Sequence, residues 1–144
     1  MSSIQKRPDG KWRARYRDEL GKEHSKHFAR RMDAARYLET VAVALHTGTY
    51  VDPADSRTSL ASFFADWSQR QVWASTTIVA MELAVRRCSF AEVEFSRLRR
   101  SHVESYVKRM VDDGLAPGTI RTRMNNVRTV LRAAVRDRYL SADP

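Results

Sequence analysis

The sequence predicts an α+β protein: a small three-stranded antiparallel sheet packed on one helix, linked to an all-α unit of four to five helices. Residues Lys11 to Arg17 alternate strictly between cationic and apolar side chains, which is the period of a strand. From Leu60 onward the apolar residues recur at three- and four-residue steps, the period of a helix. Between these blocks, Gly48 to Arg57 collects Gly, Pro, Asp and Ser with neither period. The expected organisation is a first domain over residues 1–48, a linker over 49–57 and a helical domain over 58–144.

In the first domain Pro8-Asp9-Gly10 and Leu20-Gly21-Lys22 are turn signals. They bound a central strand that puts Trp12, Ala14 and Tyr16 on one face and Lys11, Arg13, Arg15 and Arg17 on the other. Ile4 to Lys6 is the expected first strand, and the third ends at Phe28. Asp33 is placed to cap a helix presenting Ala35, Leu38, Ala42 and Leu45, with Gly48 just past its end.

In the second domain Thr58 precedes Leu60, Phe63, Phe64 and Trp67, one apolar helix stripe that reads as core. Ser75, Thr76 and Thr77 offer caps for a helix presenting Ile78, Met81, Ala84, Val85 and Cys88. Ser101 to Glu104 has the spacing of a capping box, ahead of Val103, Tyr106, Val107 and Met110, and Gly114 stops that helix. Pro117 suits a first helical turn, and the last helix carries Ile120, Met124, Val127, Leu131 and Ala134.

Charge narrows the function. Of 144 residues, 26 are Lys or Arg and 17 Asp or Glu, a net charge of +9. The excess is uneven: residues 1–31 carry +6, 32–57 carry −2 and 58–144 carry +5. Two basic modules joined by a mildly acidic spacer call for a polyanionic partner. The longest aliphatic run, Val41 to Leu45, is far short of a bilayer span, so no membrane partner and a cytoplasmic protein are expected. The single cysteine, Cys88, has no intramolecular partner for a disulfide and reads as a small buried residue. No phosphate-binding glycine loop, G-x-S-x-G or H-E-x-x-H occurs, and His24-x-x-His27 lacks the further ligands a zinc site needs. No cofactor or metal is expected.

A row of strand cations is ordinarily a solvated face. Here no acidic residue interrupts the row, and a two-stranded ribbon fits the major groove, where Arg pairs with guanine edges. On the last helix Arg121, Asn125, Arg128, Arg132 and Arg136 fall within about 80° of one another at 100° per residue. No acidic residue sits four positions on from Arg121, Arg128 or Arg132, which favours phosphate contact.

The run Pro8 to Tyr16, then Gly21-Lys22 and Phe28, resembles the amino-terminal arm-type DNA-binding domain of phage tyrosine recombinases. The second block resembles their helical, SAM-like core-binding domain, in Thr58-Ser59-Leu60 through Trp67, Leu98 to Val103, Leu115 to Arg121, and Ala133-Ala134-Val135 with the closing Asp143-Pro144. Cys88-Ser89-Phe90-Ala91 stands where that family often has Pro-x-Gly. The resemblance implies that Lys11, Arg13, Arg15 and Arg17 face DNA, with Lys26 and His27 beside them. It further implies that the helix starts at Ser75, Thr76 and Thr77 and at Thr119 to Arg123 approach the duplex, which adds Thr119 and Arg123 to Arg121, Asn125, Arg128 and Arg132.

The implied function is sequence-specific binding of double-stranded DNA, bridging arm-type and core-type attachment sites during DNA integration in a bacterial host cell. The implied partners are that DNA, other integrase protomers on it, a host DNA-bending protein and an excision factor. A tyrosine recombinase also needs a downstream catalytic domain, and Tyr16, Tyr37, Tyr50, Tyr106 and Tyr139 have no such setting, so catalytic activity is not expected of this chain. Three alternatives stay open. A stand-alone two-module regulator would end naturally at Pro144. An RNA binder would need exposed aromatic residues, whereas Trp12, Tyr16, Phe63 and Trp67 all read as core. A helical interaction scaffold would lack salt-dependent affinity for DNA.

Overall fold

Two tight turns set the register of the first strands in the computed structural model, which describes residues 2–144. Strands β1 (Ser3–Lys6), β2 (Trp12–Arg17) and β3 (Glu23–Phe28) form an antiparallel sheet with β2 in the centre. Each turn is tied by an aspartate that accepts from backbone further along the chain. Asp9 Oδ1 takes the Lys11 N–H at 3.0 Å, and Asp18 Oδ1 takes those of Leu20 and Lys22 at 2.9 and 3.0 Å. Gly10 and Gly21, at φ 83° and 78°, supply the left-handed residue that each turn requires.

Helix α1 (Arg31–Thr47) covers one face of the sheet. Arg30 is its N-cap; Asp33 lies in the first turn, where its carboxylate favours the positive end of the helix, and does not cap it. The buried positions are Ala34 and Val41, with Tyr37 and Leu38 half-buried, whereas Ala42 is exposed. Of the expected stripe, Ala35, Leu38 and Leu45 are half-buried and Ala42 alone is exposed, while Tyr37 joins the covered side. Its ring packs on Tyr16 at 6.1 Å and Phe28 at 5.3 Å, and burying an aromatic ring outweighs burying a methyl group. Gly48, at φ 72°, ends the helix with its N–H on the Ala44 carbonyl.

The chain divides into two units between Tyr50 and Val51. The segment from Gly48 to Arg57, expected to be structureless, is partly ordered. The Tyr50 hydroxyl lies 2.9 Å from that of Tyr16, and Pro53–Ser56 forms a one-turn helix, α2, capped by Asp52 Oδ1 on the Ala54 N–H at 2.9 Å. An Asp-Pro pair at the cap and first helical position is a strong local start signal even without apolar period.

The second unit continues with α3 (Leu60–Trp67), α4 (Ser75–Arg87), α5 (Arg100–Asp112) and α6 (Pro117–Arg136). The long α6 packs against α3, α4 and α5 and carries six buried residues, Met124, Val127, Val130, Leu131, Ala133 and Ala134. All four residues of the α3 stripe are buried. Cys88 to Ala91 folds into this core: Phe90 is 1 % exposed, its ring meets Tyr106 edge-on at 5.8 Å, and the Ala91 carbonyl accepts from Ala61 N–H at 2.9 Å.

Two local expectations change. Ile78 is 41 % exposed instead of buried, because the first turns of α4 stand clear of the core from Ser75 to Ala80. The capping box is also built from other residues. Helix α5 begins at Arg100, where His102 Nδ1 accepts from the Arg99 N–H at 3.0 Å and Glu104 takes the Arg100 guanidinium at 3.1 Å. A ring nitrogen three residues into the helix satisfies the same orphan donor that Glu would. Among the described residues, no helix is long and apolar enough to cross a membrane.

Candidate nucleic-acid interface

The pairing register decides which side chains share the sheet face that α1 leaves open. Arg13 lies between Gln5 of β1 and His27 of β3, Arg15 between Ser3 and Ser25, and Arg17 beside Glu23. Directly paired residues point to the same side, so Gln5, Arg13, Arg15, Arg17, Glu23 and His27 share one surface. Lys11 precedes β2 and is exposed at its end. Lys26 pairs with Ala14 and so lies on the opposite face, under α1, with its Nζ 5.0 Å from the Tyr37 ring centre and 5.6 Å from that of Phe28. The expectation that Lys26 and His27 both flank the cation row is thus corrected. Adjacent strand residues point to opposite sides, and only His27 shares the row. The same geometry puts His24 and His27 on opposite faces, so His24-x-x-His27 cannot converge on one ion.

The row is not the bare set of cations that β2 alone suggests. Glu23, from β3, accepts from Arg15 Nη2 at 2.6 Å and Nε at 3.1 Å, and from Arg17 Nη2 at 3.5 Å. Hydrogen bonding by Arg15, aided by the charges of Arg15, Arg17 and Arg13, holds the Glu23 carboxyl below its usual range. Gln5 Oε1 accepts from Arg13 Nη2 at 3.2 Å. Arg7 Nη1 lies 2.9 Å from His27 Nε2. Gln5, Arg7 and Glu23 escape any reading of β2 by itself; the signal for them is the hairpin register, which two turns of known length define.

On the covered face, Tyr16 and Tyr37 hydroxyls lie 3.5 Å apart, the Tyr16 ring stacks on His24 at 5.0 Å, and His24 Nε2 meets Asp18 Oδ2 at 2.8 Å. The hydrogen bond from His24, with those from the Lys22 and Leu20 backbone, lowers the Asp18 pKa. This cluster backs the cation row with rings that are fixed at both ends.

In the second unit, Arg121, Asn125, Arg128, Arg132 and Arg136 are all exposed along one side of α6. Among the described residues Arg121 and Arg128 have no ion pair, while Arg132 Nε lies 3.9 Å from Asp143 Oδ2, an acidic partner that an i+4 search does not find. Arg123 does not join the ridge. It lies about 200° around the helix from Arg121 and is half-buried on the side of Tyr106. Thr119, four residues before Arg123, shares that other side of the helix in the exposed first turn. Ser75, Thr76 and Thr77 are exposed at the start of α4, but none caps it, because Ala74 is the N-cap and has no side-chain acceptor. Their hydroxyls therefore face solvent in the first turn of a helix whose terminal N–H groups lack a side-chain partner.

Tyr16, Tyr37, Tyr50 and Tyr106 do not resemble activated nucleophiles. Tyr16, Tyr37 and Tyr50 share hydroxyl contacts, and burial pushes Tyr37 up to about 12. Tyr106 is buried with its hydroxyl unpartnered among the described residues. Burial likewise pushes the Cys88 thiol up to about 11, which leaves it protonated and inert at neutral pH.

A family model described as phage integrase, N-terminal, matches residues 61–140, more than half of the chain and all within the second unit. No curated protein and no solved structure matches the chain.

Proposed function

The chain belongs to the phage integrase N-terminal family, and from that membership we propose that it is the DNA-binding, non-catalytic part of a site-specific tyrosine recombinase. The sheet unit takes arm-type duplex sites and the helical unit takes core-type sites, so that one chain bridges the two during integration. Its partners are double-stranded DNA and other integrase protomers on that DNA, with a host DNA-bending protein and an excision factor as accessory partners. It acts on DNA in the cytoplasm of a bacterial host.

One observation carries the reading: the register gathers Arg13, Arg15 and Arg17 on the sheet face opposite α1, with exposed Lys11 at its edge. Glu23 offsets only part of this charge, and the positive excess that remains on the face favours a polyanion. In the helical unit Arg121, Arg128 and Arg132 contact phosphates, Asn125 lies among them, and Thr119 with Ser75, Thr76 and Thr77 approaches the duplex from two helix starts. Strand cleavage is not assigned to Tyr16, Tyr37 or Tyr50, whose hydroxyls contact one another, or to the buried Tyr106.

Binding-site selection from random duplexes by the full chain tests this. Two separable sequence elements are expected, and changing Arg13 and Arg15 together to Ala should abolish one while the other persists. Supercoiled plasmid should be neither relaxed nor covalently linked. Absence of duplex binding at low salt, or a single element insensitive to both substitutions, would contradict the assignment.

A further inference from the structure

We propose that Gln5, Arg13 and His27, aligned side by side across the three strands, form the base-reading row of the sheet, with Gln5 acting as the positioning residue that presents Arg13 end-on to a guanine. This rests on the sheet face being a DNA surface and adds which of its residues read sequence.

The cations of the face are not equivalent. Arg15 and Arg17 both donate to Glu23, so their guanidinium groups are turned along the sheet toward a carboxylate. Arg13 has no acidic partner among the described residues. Its Nε is buried without an acceptor, and its Nη2 donates once, to Gln5 Oε1 at 3.2 Å. Burial of Nε closes the side-on approach, in which Nε and Nη2 together meet an acceptor pair. What remains is the end-on fork of Nη1 and the second Nη2 hydrogen, the geometry that matches guanine O6 and N7. Gln5 holds that fork with an acceptor that carries no charge, so the guanidinium is oriented without being neutralised.

The flanking residues extend the row. Gln5 keeps its amide N–H groups, and Arg7 Nη1 holds the His27 ring at Nε2, 2.9 Å away. Three polar side chains of different shape thus lie in register across the strands, Gln5 to Arg13 to His27, in the part of the face that Glu23 does not occupy.

The test is site selection with the full chain carrying Arg13→Lys, Arg15→Lys, Gln5→Ala or Gln5→Glu. Lysine keeps the charge but cannot make the fork, so Arg13→Lys should lose preference for one guanine by about tenfold while retaining affinity for random duplex. Arg15→Lys should leave that preference intact. Gln5→Ala should weaken the same preference to a smaller degree, and Gln5→Glu, which sets a carboxylate on Arg13 as Glu23 does on Arg15, should weaken it too while lowering affinity for all sequences alike. An unchanged preference in Arg13→Lys, or an equal loss in Arg15→Lys, would overturn the reading row while leaving the face as a DNA surface. A wild-type chain that binds no duplex would overturn both.

Discussion

On the sheet, Arg13, Arg15 and Arg17 are each held by a neighbour, Gln5 for the first and Glu23 for the other two. On α6, Arg121 and Arg128 extend from an exposed helix side with no ion pair among the described residues. Contacts to bases require donors fixed in direction, because a guanine edge is met only at one geometry; phosphate contacts need charge and reach, and tolerate motion. On the proposed reading, the sheet holds its arginines as base contacts require, and the α6 ridge leaves Arg121 and Arg128 free as phosphate contacts allow. Their interiors differ in the same sense. The helical unit is built on apolar side chains such as Leu60, Phe90, Val127 and Val130, whereas the sheet unit relies on a ring and hydroxyl cluster of Tyr16, His24, Tyr37 and Tyr50.

Substitutions that strike one unit sharpen that contrast. Phe90→Ala removes a fully buried ring and should cost the helical unit about 3–5 kcal/mol, read by denaturant unfolding; sheet-dependent selection should persist wherever the chain stays folded. A smaller effect is expected from Glu23→Ala, which releases Arg15 and Arg17. The plot of log affinity against log salt should steepen by about 0.9 per arginine that then reaches a phosphate. If the slope is unchanged, those arginines already engage DNA in the presence of Glu23. Tyr16→Phe deletes the hydroxyl bonded to Tyr50 at 2.9 Å and should destabilise the sheet unit by about 1 kcal/mol.

The smallest effect concerns alkaline pH. Burial and the hydrogen bond with Tyr16 raise Tyr37 to about 12, above its ordinary value near 10. A raised folded-state pKa gives a contribution that is complete below about pH 10 and declines as pH rises through 10 toward 12. The melting temperature of the sheet unit should fall across that window, and Tyr37→Phe should remove that part of the fall.

Much of the fold was legible because period and punctuation agree. The Lys11–Arg17 alternation, the glycines at positions 10, 21 and 48, and the α3 stripe each mark an element with a local rule. Local rules failed where a distant partner decided the outcome. Tyr37 joined the covered side of α1 by packing on Phe28, and His102 replaced the expected Ser-Glu box. Tyr50 found Tyr16 across 34 residues. The candidate site divides in the same way. Arg13, Arg15 and Arg17 follow from strand period alone, and the α6 ridge from helix period. The charge balance does not, because Glu23 reaches Arg15 only through pairing of β2 with β3, and Asp143 reaches Arg132 from beyond the helix end. Lys26, which the resemblance alone implied, falls on the α1 face because β3 pairs it with Ala14.

The division of labour between the units is tested most directly by measuring salt dependence and base preference together on two variants of the full chain, Arg13→Lys and Arg121→Gln with Arg128→Gln. The first should lose preference at one guanine with the salt slope unchanged, since its charge is kept. The second should lower the slope by about 1.8, from roughly 0.9 for each of two phosphates, with base preference unchanged. If both variants lose slope and preference in the same proportion, or if the α6 pair leaves the slope where it was, the two surfaces do not have the separate roles assigned to them.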